Sequence, residues 1–197
     1  MVTGALARVA NRPDLEARFE DIERRLVANA DTVAAVGPTL ADEARRLAAT
    51  NPGDHAPPVH QVTPGVALEE QQLPPRDGTR TRNVLVVGRA DAPQKGAHHA
   101  ALMVRRLRAE GMDVQLTVRG IPSEAVDHIQ RRLSTIAGVQ VRVKPFTITR
   151  SEILADMRQA DVVLMPSRAE GFGLVGLEAV GAGIPVLVPD SSGVGAH

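Results

Sequence analysis

The chain has 197 residues, 43% apolar and 23% charged, enough for one good hydrophobic core or for one domain plus part of another, and disorder is excluded. The formal net charge is zero and cysteine is absent, which argues against a general nucleic-acid binder or polybasic membrane anchor and excludes disulfide scaffolds and thiolate metal sites. No apolar run approaches the roughly 20 residues of a membrane span. The opening "MVTGALARVANRPD" lacks the pattern of a secretion signal, so a cytoplasmic protein is expected.

The first 80 residues give a mixed signal. "PDLEARFEDIERRLVANA", Pro13 to Ala30, predicts a charged amphipathic helix with proline in its first turn. "TVAAVG" reads as a short buried strand, "PTLADEARRLAAT" as a helix and "VHQVTPGV" as a further strand. A polar, proline-bearing connector follows, and Thr63–Arg82 reads as a boundary. A lone strand near Thr32–Gly37 cannot form a sheet by itself, so residues 1–62 read as the remnant of another domain.

From Asn83 the pattern becomes regular. Strand-like runs stand at "NVLVVG", "DVQLTV", "VQVRV", "DVVLMP" and "IPVLVP". Helical segments separate them at Gly96–Glu110, Ser123–Ile136, Ser151–Ala160 and Gly173–Ala182. In the first, Ala97, Ala100, Ala101, Val104 and Leu107 recur at the spacing of one helical face. Strands alternating with helices through short turns predict an α/β domain over residues 83–197, a Rossmann-like parallel sheet with helices on both faces. The chain stops one loop after a buried strand, where such a sheet would add a covering helix. It reads as C-terminally incomplete.

 The expectation is therefore a fragment whose remainder lies in a longer chain.

"RAEGFGLVGLEAVGAG" carries the chemistry. Gly171, Gly173 and Gly176 spell G-x-G-x-x-G, the spacing of a dinucleotide turn. That turn should follow its strand at once, yet "SRAE" intervenes, and Glu170 would set a carboxylate beside the pyrophosphate. The segment still makes an anion site: glycines admit a close ligand, and the amides from Phe172 to Val175 stand at a helix N-terminus. The alternative is that the glycines only permit tight packing. Glu178 interrupts an otherwise apolar helix, where a buried carboxylate needs partners such as ligand hydroxyls. Only two of the 23 basic residues, Lys95 and Lys144, are lysine; at Lys95 a compact point charge suits a phosphate oxygen.

"PSRAEGFGLVGLEAVGAGIPVLVPD" resembles the signature of retaining nucleotide-sugar glycosyltransferases with the GT-B fold, the glycogen-synthase-like, group 1 superfamily. Glu170 and Glu178 match its Glu-x7-Glu motif, and "VLVVGRADAPQKGAHHAALMVRRL" resembles the first strand and Gly-Arg…Lys-Gly loop of its C-terminal domain. "VKPFTITRSEILADMRQADVVLMPS" resembles the strand, base-binding loop and helix that lead into the motif. The resemblance implies the C-terminal half of a GT-B fold, preceded by a partial N-terminal domain. It implies that Arg89 and Lys95 bind the donor diphosphate, and that Gly171, Phe172, Gly173 and Leu174 offer amides to phosphate and sugar hydroxyls. Glu178 would hold the ribose, Glu170 would stand at the reaction centre, and Phe146 and Thr147 would meet the base. Arg89 and Lys95 are six apart, one more than is usual in the family.

Breaking a sugar–diphosphate bond develops negative charge on the leaving phosphate, which two fixed cations and a helix N-terminus stabilise. Such contacts contribute about 1.5–3 kcal/mol each. No Asp-x-Asp pair is present, so neither a metal nor a cofactor is expected, and His98 and His99 are not expected to be ligands. The donor would be a UDP-, GDP- or ADP-sugar, with the acceptor bound by another domain. A non-catalytic nucleotide-sugar sensor within a larger protein, and a sugar-nucleotide epimerase on the same fold, fit the same residues.

Overall fold

The computed structural model describes residues 13–50, 56–66, 81–89, 92–168 and 170–195. Most of the expected connector, residues 67–80, and the opening residues 1–12 lie outside them. The described residues form two compact units. One holds those up to Gly65, with Arg168–Leu174 and those from Pro189 onward; the other holds Val66–Ser167 with Val175–Val188.

In the first unit, helix α1 (Pro13–Ala28) precedes strand β1 (Val33–Val36), helix α2 (Gly37–Ala49) and strand β2 (Val59–Val62). The strands pair in parallel with Val33 opposite Val59, so "TVAAVG" does find a partner here. The second strand is shorter than "VHQVTPGV" because Pro64 cannot donate to a ladder. Val27, Val33, Ala35, Ala41, Ala44 and Leu47 make a small core. Arg46 on α2 donates to Glu20 on α1 at 3.0 Å and to Glu43 one turn back at 2.7 Å. Gly37 has φ +80°, and a Cβ there would come within 2.4 Å of the Phe172 ring. Phe172 is buried.

The second unit is a five-stranded, all-parallel sheet in the order β5-β4-β3-β6-β7. Its strands are β3 (Arg82–Val87), β4 (Val114–Ile121), β5 (Arg142–Pro145), β6 (Val162–Leu164) and β7 (Val186–Leu187). Between them run α3 (Ala97–Ala109), α4 (Val126–Ala137), α5 (Arg150–Gln159) and α6 (Leu174–Gly181), the last belonging to this unit from Val175 onward. Alternation along the strands divides the core. Val84, Val86, Leu116 and Val118 meet α3 and α4, through Ala100, Val104, Ile129 and Leu133. Leu85 and Val163 meet α5 and α6, through Met157 and Ala179. With almost no aromatic bulk, alanines bring α3 close to the sheet: Ala100, Ala101 and Val104 are fully buried.

Each expected strand and helix of this unit is present, with shifted ends. The fifth strand keeps only two residues, and the one expected at "VQVRV" begins at Arg142 rather than Val139. β4 runs three residues past "DVQLTV", through Arg119 and Gly120. The expected helix at Ser123 opens with a 3-10 turn, Ser123–Ala125, before α4. The α6 helix is less buried than its apolar sequence suggests, since Leu174 and Val180 are each 54% exposed.

Candidate functional site

In an open parallel sheet, ligands bind at the carboxyl ends of the strands where the strand order reverses. Here β3 is followed by β4 and β5 on one side, and β6 and β7 lie on the other, so the reversal falls between β3 and β6. The loop leaving β3 carries Arg89 and Lys95. Its turns close through hydrogen bonds from the Ala92 amide to the Arg89 carbonyl, 2.9 Å, and from the Lys95 amide to the Ala92 carbonyl, 3.0 Å. Pro93–Lys95 forms a 3-10 turn. Arg89 is exposed and Lys95 half-buried. The Lys95 methylenes pass Gly88, with Cδ 3.9 Å from where a Cβ would stand.

Gly96 ends this loop and begins α3. Its φ is +69°, and a Cβ would lie 2.0 Å from the Pro166 carbonyl oxygen. Only glycine lets the loop after β3 press on the chain leaving β6, and this contact fixes where Lys95 emerges. On the same edge of the sheet, Phe146 and Thr147 follow β5, two strands from β3 and so about 10 Å away. The Phe146 amide donates to the Ile121 carbonyl at 2.8 Å, while its ring is 65% exposed. The Thr147 hydroxyl accepts from the Thr149 amide at 3.0 Å. Glu178 lies in the second turn of α6, half-buried; among the described residues its carboxylate has no hydrogen-bond or ion-pair partner. The second unit thus holds Arg89, Lys95, Phe146, Thr147 and Glu178.

Glu170 and Gly171–Leu174 belong to the first unit. Glu170 is half-buried. The Gly193 amide donates to the Gly171 carbonyl at 3.0 Å, and the Val194 amide to the Phe172 carbonyl at 2.7 Å. Gly171 packs on Leu40, and Gly173, with φ +95°, turns the chain into α6. The side chain of Phe172 is buried against Gly37 and Gly193, so its backbone is the part available to a ligand.

Arg119, Asp156 and Lys144 form a network that periodicity alone did not reveal. Arg119 Nε lies 2.6 Å from Asp156 Oδ2, and Lys144 Nζ pairs with Asp156 Oδ1. Two signals were present: Arg119 breaks the apolar run of β4, and Lys144 is the second of only two lysines. Among the described residues no three His, Asp or Glu side chains are grouped to hold a metal ion, and no helix is long and apolar enough to cross a membrane.

Comparison with known proteins places the chain. A model of the "Family 4 Glycosyltransferase in conflict systems" matches residues 1–197. The chain is 34% identical to a D-inositol 3-phosphate glycosyltransferase of Geodermatophilus obscurus, across 98% of this chain and 45% of that protein. It is 32% identical to a glycogen synthase of Mycobacterium tuberculosis, over 61% of this chain and 28% of that one. The chain therefore spans about half, or less, of the curated relatives it matches. In fold it is similar to a sucrose-phosphate synthase from Thermosynechococcus elongatus, with a TM-score of 0.68 and 21% identity over 93% of this chain and 47% of that one. On the full-length family match, and with the parallel α/β sheet of a GT-B half, the chain belongs to the family 4 glycosyltransferases of conflict systems.

Proposed function

We propose that the chain is the donor-binding part of a retaining glycosyltransferase, taking a nucleoside-diphospho-sugar without a metal ion and passing the sugar to an acceptor held by another domain. The observation that carries this reading is the loop after β3, which sets Arg89 and Lys95 at the sheet reversal and is pressed against Pro166 through Gly96. In this reading the two cations neutralise the diphosphate as the bond to the sugar breaks, the part a divalent metal plays elsewhere. Glu178 accepts from the ribose hydroxyls, and its carboxylate, half-buried with no described partner, is suited to that. Phe146 and Thr147 meet the base. The amides of Gly171–Leu174 hold phosphate and sugar hydroxyls, and Glu170 faces the reaction centre; both roles are carried by the family motif.

The test is titration calorimetry of the folded chain with UDP, GDP and ADP, alone and as sugar conjugates, with a chelator present. Binding that both Lys95→Ala and Glu178→Ala weaken by about tenfold, near 1.4 kcal/mol, supports the donor site and identifies the base. Binding abolished by the chelator would sink the metal-free reading. Absence of binding by a folded wild type would sink the donor site. Donor binding with no sugar transfer when the chain is supplied within its longer polypeptide would favour the sensor.

A further inference from the structure

Arg119 is 7% exposed and Asp156 is 5% exposed, at the carboxyl end of the sheet on its α5 face. Burying such a pair carries a heavy desolvation penalty, and an apolar pair of similar volume often stabilises a fold as well or better. Stability is therefore a poor account of it. What an arginine supplies here, and an apolar side chain would not, is a rigid fork that reaches separate elements. Its Nε meets Asp156 of α5, and one terminal nitrogen donates to the Pro145 carbonyl at 3.1 Å and lies 3.6 Å from Glu152. Lys144 closes the other side of Asp156, so two buried or half-buried cations are balanced by Asp156 and Glu152.

The backbone at the same place is equally occupied. The Arg119 carbonyl accepts from the Gly88 amide at 2.9 Å, immediately before Arg89. The β4–β5 register shifts between Arg119 and Ile121, and Gly120, with φ +113°, would drive a Cβ to 2.5 Å from the Gly88 carbonyl oxygen. One residue thus grips the start of the Arg89 loop with its main chain and the start of the Phe146 loop with its side chain. Just beyond Pro145, Phe146 and Ile148 are held out to solvent at 65% and 90% exposure.

We infer that Arg119, anchored by Asp156, is a positioning residue that sets the Phe146–Thr149 loop at a fixed spacing from the Arg89–Lys95 loop, so that base and diphosphate of one nucleoside diphosphate are met together. The inference rests on the donor-site reading above.

The experiment titrates the folded chain with the nucleoside diphosphate it prefers and with inorganic pyrophosphate, which has no base, and follows amide hydrogen exchange at Phe146. Arg119→Met keeps much of the volume and removes the fork. The nucleoside diphosphate should then bind about tenfold more weakly while pyrophosphate stays within about twofold, and exchange at Phe146 should rise about tenfold. Arg119→Lys, which keeps a charge for Asp156, should recover part of both losses. If Arg119→Met does not fold, Asp156→Asn is measured against the same outcomes. Equal loss for both ligands, or no loss for either, overturns the inference and leaves the donor site standing. A wild type that binds pyrophosphate but no nucleoside diphosphate, or neither ligand, overturns the donor-site reading and this inference with it.

Discussion

Three glycines of the sheet unit share the same left-handed φ and differ in what surrounds them, which isolates the contact that shapes the loop after β3. Gly96, Gly138 and Gly183 each have φ +69°, but only Gly96 has anything within 4 Å of its Cβ position. Alanine at Gly138 or Gly183 therefore meets the left-handed backbone cost alone, about 1–2 kcal/mol. At Gly96 the same cost is joined by a Cβ 2.0 Å from the Pro166 oxygen and 2.8 Å from its carbonyl carbon. Those are backbone atoms and cannot rotate away, so overpacking adds about 1–3 kcal/mol. Urea unfolding followed by circular dichroism should place Gly96→Ala below both controls by that margin, or roughly 2–12 °C lower in Tm for a chain of this size. Equal destabilisation of the three variants would refute the reasoning, because the two loops could not then be pressed together. If Lys95 holds a diphosphate, Gly96→Ala should also weaken nucleotide binding and Gly138→Ala should not.

Two further predictions concern single side chains. Ser192 is fully buried in the first unit; its hydroxyl donates to the Pro189 carbonyl at 2.6 Å and accepts from the Gly195 amide at 3.1 Å. Ser192→Ala should cost about 1 kcal/mol in urea unfolding while Ser191→Ala, at an exposed neighbour, costs little, and equal effects would remove the hydroxyl from the account. Asp113 is held below its ordinary value of 3.8 by hydrogen bonds from Thr81 and then Arg108, the latter at 2.9 Å. A lowered carboxyl contributes its stability above the unfolded value and loses it as the pH falls through the folded one. Asp113→Asn should therefore destabilise the chain at neutral pH, with the gap to wild type closing as the pH is taken below 3.8; a gap unchanged with pH would refute the charge-assisted contact.

Local alternation made the sheet unit legible. The apolar strands and the alanine face of α3 follow from spacing that tertiary contacts reinforce, so Ala97, Ala100, Ala101 and Val104 are all buried as their periodicity requires. Strand ends were less legible because pairing partners set them. β4 extends through Arg119 because Gly88 and Phe146 supply partners for its last carbonyls, which no local pattern announces. The loop with Arg89 and Lys95 was found through its motif, but the reason for Gly96 lies in Pro166, seventy residues further on. Asp156 reads as an ordinary exposed position on a charged helix until β4 and β5 bring Arg119 and Lys144 to it.

The glycine motif itself separates into two physical jobs. Gly171 lies outside the left-handed region, and a Cβ there would come within 2.9 Å of Leu40 Cδ1, the mobile tip of a side chain. Gly173 has φ +95° at the entry to α6, where any other residue is strained by about 1–3 kcal/mol. In a dinucleotide turn the first glycine makes the tight turn and the second admits the pyrophosphate. Here the first is a packing glycine and the second makes the turn, so the shared spacing has a different physical origin. A double-mutant cycle with Leu40→Ala resolves the two in urea unfolding. Gly171→Ala should be mild, and Leu40→Ala should relieve it with a coupling of about 0.5 kcal/mol or more, since the two positions touch. Gly173→Ala should keep its full cost whether or not Leu40 is truncated, because its strain is in the backbone. Relief of Gly173→Ala by Leu40→Ala, or its failure to relieve Gly171→Ala, would return both glycines to a single role.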